Sequence, residues 1–239
     1  MDGDVLVRTR LALHGVAELV LAGPQYRRSE DIRLRVTPGG FGTVAEPDLL
    51  VGGAFLVVRA AGLGRAGGVG GAGRAGGAGV GGAAGAAGER LPIDGRTCAE
   101  LAAAAGVSAS ALRDVYHGGS NIGVDDILHV DADAAALLAD GFGRGDAALR
   151  DLAPDVEPVL WPEHFDVAIT VDEVNYGVSP GDANLPEPYA YVGPWQPLTG
   201  EFWNFPFGAA RPISQLADVA AFFREGRARV ADAARPASR

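Results

Sequence analysis

Asp166-Val167-Ala168-Ile169-Thr170-Val171-Asp172-Glu173-Val174-Asn175-Tyr176-Gly177-Val178-Ser179 is the stretch whose reading decides the fold. On either side of Asp172-Glu173, apolar residues alternate with small or polar ones, the period of a strand. A two-residue turn at that pair sets Val171 against Val174, Ile169 against Tyr176 and Val167 against Val178. Every pair on that face is apolar. On the other face Thr170 opposes Asn175, Ala168 opposes Gly177 and Asp166 opposes Ser179. A slip of one residue would mix the faces, so the pattern selects this register. The turn pair itself is not one of the favoured Asn-Gly or Asp-Gly pairs.

The second face is small and polar, lined by His164, Asp166, Thr170, Asn175 and Ser179, with Ala168 and Gly177 leaving space at its centre. One reading is a solvated sheet surface. The other is the floor of a pocket. There His164 and Asp166, two apart on one strand, would act as an acid–base pair, the carboxylate raising and orienting the imidazole. The same pair would supply two metal ligands, with Asp182, Glu187 or Glu201 as candidates for a third. The loop from Pro180 to Trp195, carrying Asp182, Glu187, Tyr189 and Trp195, reads equally as a ligand lid or as packed Pro-rich turns. The candidate site is therefore His164 and Asp166 as catalytic residues, with Thr170, Asn175, Ser179, Asp182, Tyr189 and Trp195 binding a ligand.

Outward from the hairpin, Tyr189 to Val192 and Phe202 to Phe207 read as further strands. Pro212 and Ser214 introduce a final helix to about Val230, with Leu216, Val219, Ala220 and Phe223 buried. Upstream, Asp131 caps a helix to about Leu152, whose face is Leu138, Phe142, Gly145, Leu149 and Leu152. Gly141, Gly143 and Gly145 predict a kink or break in it. Thr97-Cys98-Ala99-Glu100 has capping-box spacing, so a helix starts at Cys98 and ends at Gly106. A second short helix over Ala109–Val115, N-capped by Ser108, would make 97–118 resemble a repressor helix-turn-helix. Ser108, Ser110 and Arg113 would then face DNA, with Asp114 opposing them.

Near the start, Thr9 to Ala22 reads as a helix with Leu13, Val16 and Val20 on one stripe and His14 as a partly exposed structural residue. Gly23-Pro24 stops it. Ile32–Val36 is a half-buried strand with Arg33 and Arg35 outward, Thr37–Gly40 a turn, and Phe41–Val44, Leu49–Val51 and Phe55–Val58 complete an antiparallel meander. Residues 60–88 hold fourteen Gly among Ala and Val and read as a disordered loop, because nothing there offsets the entropy of ordering. The expectation is one α+β domain over residues 1–239: a largely antiparallel sheet with helices packed on one face, and a disordered Gly-rich loop inserted. It comprises a helical segment at 97–152 and an aromatic-rich strand region with its helix at 160–230. The two strand regions join into one sheet or form two subdomains.

Composition narrows the function. The net charge is −10, which disfavours phosphate backbones and anionic lipid, so nucleic acid is an unlikely partner. All 20 basic residues are Arg. Without Lys there is no Walker A loop, no kinase nucleotide site and no pyridoxal phosphate Schiff base. One cysteine, Cys98, allows no internal disulfide, and no signal peptide or membrane span is legible, which together predict a cytoplasmic protein. Gly62–Gly67 matches G-x-G-x-x-G but opens onto more glycine rather than a helix. Gly177-Val178-Ser179-Pro180-Gly181 matches the hydrolase nucleophile elbow. Pro180, however, lacks the N–H an oxyanion hole needs, and no His follows His164.

Two stretches carry a resemblance. One is Leu13–Val44, containing Ala22-Gly23-Pro24-Gln25-Tyr26 and Arg33-Leu34-Arg35-Val36-Thr37-Pro38-Gly39-Gly40-Phe41. The other is Leu160–Pro212, containing Trp161–Asp166, Gly177–Asp182 and Phe202-Trp203-Asn204. They resemble conserved hypothetical proteins of high-GC Gram-positive bacteria. The resemblance implies a cytoplasmic bacterial protein and transfers no catalytic residue or cofactor. The residues favour a domain that binds a small molecule or a protein partner. The alternatives are a metal-assisted or acid–base hydrolase using His164 and Asp166, and a transcription-linked protein using 97–118.

Overall fold

The computed structural model describes residues 3–59 and 88–234. The Gly-rich stretch, apart from Gly88, and its G-x-G-x-x-G lie outside the described residues. Among the described residues ten strands form one antiparallel sheet: β1 (Leu34–Thr37), β2 (Gly40–Thr43), β3 (Leu49–Gly52), β4 (Phe55–Val58), β5 (Glu89–Pro92), β6 (Val159–Trp161), β7 (Asp166–Val171), β8 (Val174–Ser179), β9 (Tyr189–Pro194) and β10 (Ala209–Pro212). Their spatial order is β10-β9-β8-β7-β6-β1-β2-β3-β4-β5. Each half is a meander, and the halves meet where Leu34 of β1 pairs with Leu160 of β6. One continuous sheet thus answers the question of one sheet or two subdomains. No helix among the described residues is long and apolar enough to cross a membrane.

The β7–β8 hairpin has the register that the alternation selects, from Val167↔Val178 to Val171↔Val174. Asp172 and Glu173 sit at φ 52° and 62°, so the turn takes the left-handed conformation that suits a two-residue hairpin despite lacking Gly or Asn. Arg227 holds the Asp172 carboxylate from the last helix at 3.0 Å.

Helices cover the apolar face. α4 (Ala132–Leu152) is capped by Asp131, whose carboxylate accepts the N–H groups of Asp133 and Ala134. It runs unbroken through Gly141, Gly143 and Gly145, where a kink or break was expected. Gly145 serves close packing instead: a Cβ there would lie 2.7 Å from Val178 and 3.0 Å from Val167. α3 (Cys98–Ala104) carries the full Thr97–Glu100 capping box. The last helix, α5 (Val219–Ala233), starts at its Asp218 cap rather than near Ser214. Pro212 closes β10, and Leu216 is only partly buried. Tyr176 meets Phe223 edge-on at 6.0 Å, tying β8 to α5. Phe202–Phe207 is loop, not strand. Pro206 has no N–H for a ladder, Phe205 and Phe207 stack on each other at 5.3 Å, and the small Ala209-Ala210 pair enters the sheet instead.

The N-terminal helix departs most from expectation. α1 (Gly3–Val16) passes into a π-helical turn (Ala17–Ala22) and on into α2 (Gly23–Ser29), so Gly23-Pro24 does not stop it. The widened turn accommodates the proline. The Gly23 N–H reaches back to the Glu18 carbonyl, five residues away, and Pro24 has no N–H to offer the next carbonyl. That leaves the Leu19 carbonyl free, and the Ser110 N–H takes it at 2.9 Å. Gly23 is glycine because a Cβ would overlap the Ser110 carbonyl. This docking, with Arg27 holding the Ser108 carbonyl, holds 107–112 as a strap that is neither helix nor strand. The expected helix over Ala109–Val115 is absent, and with it the second half of a helix-turn-helix. Gln25 then pins α2 to the sheet, accepting the N–H groups of Val44 and Ala45 and donating to the carbonyls of Asp31 and Arg33.

Candidate functional site

On the sheet face opposite the helices, β7, β8 and β9 floor a cleft of about 760 Å³. Asp166 opens β7 and is 7% exposed. Tyr191 projects from β9 across Gly177 of β8, its register partner. Its ring fills the space above Gly177, where a Cβ would lie 2.6 Å from Cζ. The room expected over Ala168 and Gly177 is thus occupied by a phenol. Its hydroxyl donates to Asp166 Oδ2. Asp166 Oδ1 is buried and has no hydrogen-bond partner.

Burial raises the Asp166 carboxyl above its ordinary range, against the opposing pull of the Tyr191 hydrogen bond, the His164 charge and its own backbone N–H; Glu163 adds to the rise. Tyr191 is itself pushed well above its usual value by burial and by Asp166. Asp166 is therefore a group that gains little from ionising where it sits. Because its folded pKa is raised, its contribution to stability is fully present below the ordinary carboxylate value. It is lost as pH rises through the folded value. Asp166→Asn should flatten that part of the stability–pH curve and raise stability at neutral pH relative to wild type. Urea titrations at a series of pH values check this, and parallel curves for the two proteins would refute it.

The other expected site residues divide. His164 lies in the β6–β7 turn, not on the strand, because Phe165 takes φ 54° and breaks the alternation. Its side chain is 70% exposed, and its nearest carboxylate is Glu163 at 3.8 Å. It lines the cleft, but no hydrogen bond joins it to Asp166, whose Oδ2 is taken by Tyr191. Asn175 and Ser179 line the floor. Asn175 Oδ1 accepts Thr170 Oγ1 at 2.8 Å and Trp195 Nε1 at 3.3 Å. Thr170 is exposed outside the cleft and acts by holding Asn175. Trp195, 57% exposed, stands at the rim beside Pro194 and Pro197.

The expected lid from Pro180 to Trp195 is shorter, since 189–194 is strand. Its remaining loop is self-tied: Asp182 Oδ1 accepts the N–H groups of Asn184 and Leu185, and Oδ2 accepts the Tyr189 hydroxyl. Burial alone would raise Asp182, but these bonds and Arg10 outweigh it and hold the carboxyl below its ordinary value.

Tyr191 and Phe207 escaped the sequence reading. Alternation with Tyr189 on one strand, opposite a glycine, was the available signal for Tyr191. Phe207 was assigned to a strand that does not form. Of the third-ligand candidates, Asp182 lines the same cleft but has both oxygens engaged, and the other two lie elsewhere. Glu187 accepts Ser214, and Glu201 lines a separate groove. Among the described residues no group of three or more His, Cys, Asp or Glu side chains could hold a metal ion.

That separate groove, about 840 Å³ between α5 and the 199–203 loop, is larger. Its cations are already engaged, Arg229 with Glu225 and Arg211 with Asn204. Among the described residues the buried side-chain atoms left without partners are Tyr116 Oη and Asp166 Oδ1, and neither faces that groove. No protein family, curated protein or solved structure matches the chain.

Proposed function

We propose that this protein binds a small organic molecule in the Asp166–Tyr191 cleft. One observation carries the reading: a buried carboxyl with an unpartnered oxygen sits at the floor of an aromatic-walled cleft. Buried polar atoms without partners are rare and costly, and a ligand is the partner a cleft supplies. The volume lies within the roughly 300–1,000 Å³ usual for small-molecule sites. Apolar walls with a few polar groups that fix orientation are their usual composition, here Tyr189, Tyr191, Trp195 and Phe207 with Asp166, Asn175 and Ser179. The single buried cysteine suits a cytoplasmic protein. A hydrolase using His164 and Asp166 finds less support, because the imidazole and the carboxyl are not joined.

Native mass spectrometry of the gently purified protein tests the reading. Wild type is expected to carry a bound small molecule that Trp195→Ala and Asp166→Asn lose or hold at reduced occupancy. Trp195 is exposed, so its replacement leaves the fold intact. Bare protein in all three samples, together with no thermal shift from a metabolite library, would sink the proposal.

A further inference from the structure

Resting on that reading, we propose that the ligand is an organic ammonium ion, its cationic head over the Asp166 carboxyl and its apolar body against Trp195 and Phe207. Three observations support this class. First, among the described residues no Arg or Lys lines the cleft, whose charged residues are Asp166 and Asp182, with His164 at the edge. The neighbouring guanidinium, Arg10, is engaged by the Pro186 carbonyl and the Asp182 charge, so an anionic ligand would find no free counter-charge at the lining, and the chain's net charge of −10 draws cations toward its surface. Second, the oxygens of Asp182 are already taken by backbone N–H groups and Tyr189, so Asp166 is the acidic group left for a ligand. Third, Trp195 and Phe207 present exposed rings, 57% and 41% accessible, which the apolar body of an organic, rather than inorganic, cation would cover.

A neutral hydroxyl would supply the missing hydrogen bond to Asp166. Only a cation also relieves the cost of charge in that buried position. Oδ1 is buried in the free protein, so engagement by the head group requires the carboxyl to turn toward the cleft as it ionises. The groups facing Asp166 are Tyr191 and Tyr189 from β9, and His164 and Glu163 from the turn before β7. In the free protein the carboxyl holds its proton to higher pH than an ordinary aspartate. Ammonium binding therefore releases that proton to solvent, and affinity strengthens as pH rises toward the free-protein value, then levels.

Calorimetric titration of the full chain with 2-phenylethylammonium, its neutral isostere 2-phenylethanol, and glucose tests the class. The ammonium ion is expected to bind about tenfold more tightly than the alcohol, the usual gain of a charged over a neutral hydrogen bond. Asp166→Asn should abolish that preference, and Trp195→Ala should weaken both ligands. The ammonium affinity should rise by up to about tenfold per pH unit below the free-protein value, with net proton release seen across buffers of different ionisation enthalpy. The same profile in His164→Asn excludes the imidazole as the titrating group. Equal affinity for ammonium and alcohol, or binding of glucose alone, would overturn the ammonium class while leaving the cleft as a binding site. Binding of none of the three also overturns the class. The cleft reading is then decided by the co-purified ligand.

Discussion

Phe165→Ala should lower the stability of the folded chain by about 3–5 kcal/mol, the range for emptying a large aromatic site in a core. Phe165 is 1% exposed. Its ring stacks on His14 at 5.2 Å and meets Phe41 and Phe142 edge-on at 5.3 and 5.2 Å. Those partners come from α1, β2 and α4, so one side chain joins the N-terminal helix, both halves of the sheet and the central helix. Three elements cannot collapse together onto the vacated volume, which places the cost high in the range. Burial pushes the His14 imidazole below its ordinary value, and its Nε2–H donates to the Pro162 carbonyl at 2.7 Å. That bond fixes the turn that delivers Asp166 to the floor of the cleft. For a chain of this size the expected drop in Tm is about 6–20 °C. Phe207→Ala, at an exposed ring, is the control and should move Tm far less. Equal shifts for the two variants would show that Phe165 is not the junction described.

Gly23→Val should be nearly as damaging. A side chain at that position overlaps the Ser110 carbonyl, so the strap over 107–112 must lift. Overpacking typically costs about 1–3 kcal/mol. Lifting the strap also strips the Leu19 carbonyl of the Ser110 N–H, and a buried acceptor left unmade costs about 1–3 kcal/mol more. The combined loss is about 4 kcal/mol. Calorimetric Tm and hydrogen exchange at the Ser110 amide would report it. Unchanged protection of that amide would mean that the π-helical turn does not depend on the strap.

Local patterns were legible where a residue's neighbours in sequence are also its partners in space. The hairpin register follows from apolar pairs across a two-residue turn. The starts of α3 and α4 follow from Thr97 with Glu100 and from Asp131, each of which satisfies N–H groups within three residues. The Gly23-Pro24 stop was misread because its usual meaning assumes that a helix must keep its hydrogen-bond ladder to itself. Here the ladder shifts by one residue and the orphaned Leu19 carbonyl is met by Ser110, far along the chain. The same contact cancels the helix that local propensity favours over Ala109–Val115.

The candidate site divides along the same line. The polar face of the hairpin, with Asp166, Asn175 and Ser179 together, was present in the alternation. The partnership of His164 with Asp166 was not realised, because one left-handed residue at Phe165 takes the histidine off the strand. Tyr191 reaches Asp166 instead, across a glycine on the strand between them. The sequence by itself determined the first meander's strands, the β7–β8 hairpin with its two faces, and the caps of α3 and α4, since period and capping act over a few residues. Only the tertiary structure decided that the two meanders share one sheet, that the helix continues through proline, and that Asp166 is buried beside a tyrosine with one oxygen unmet. Those outcomes depend on contacts between distant segments, whose energies no local pattern encodes.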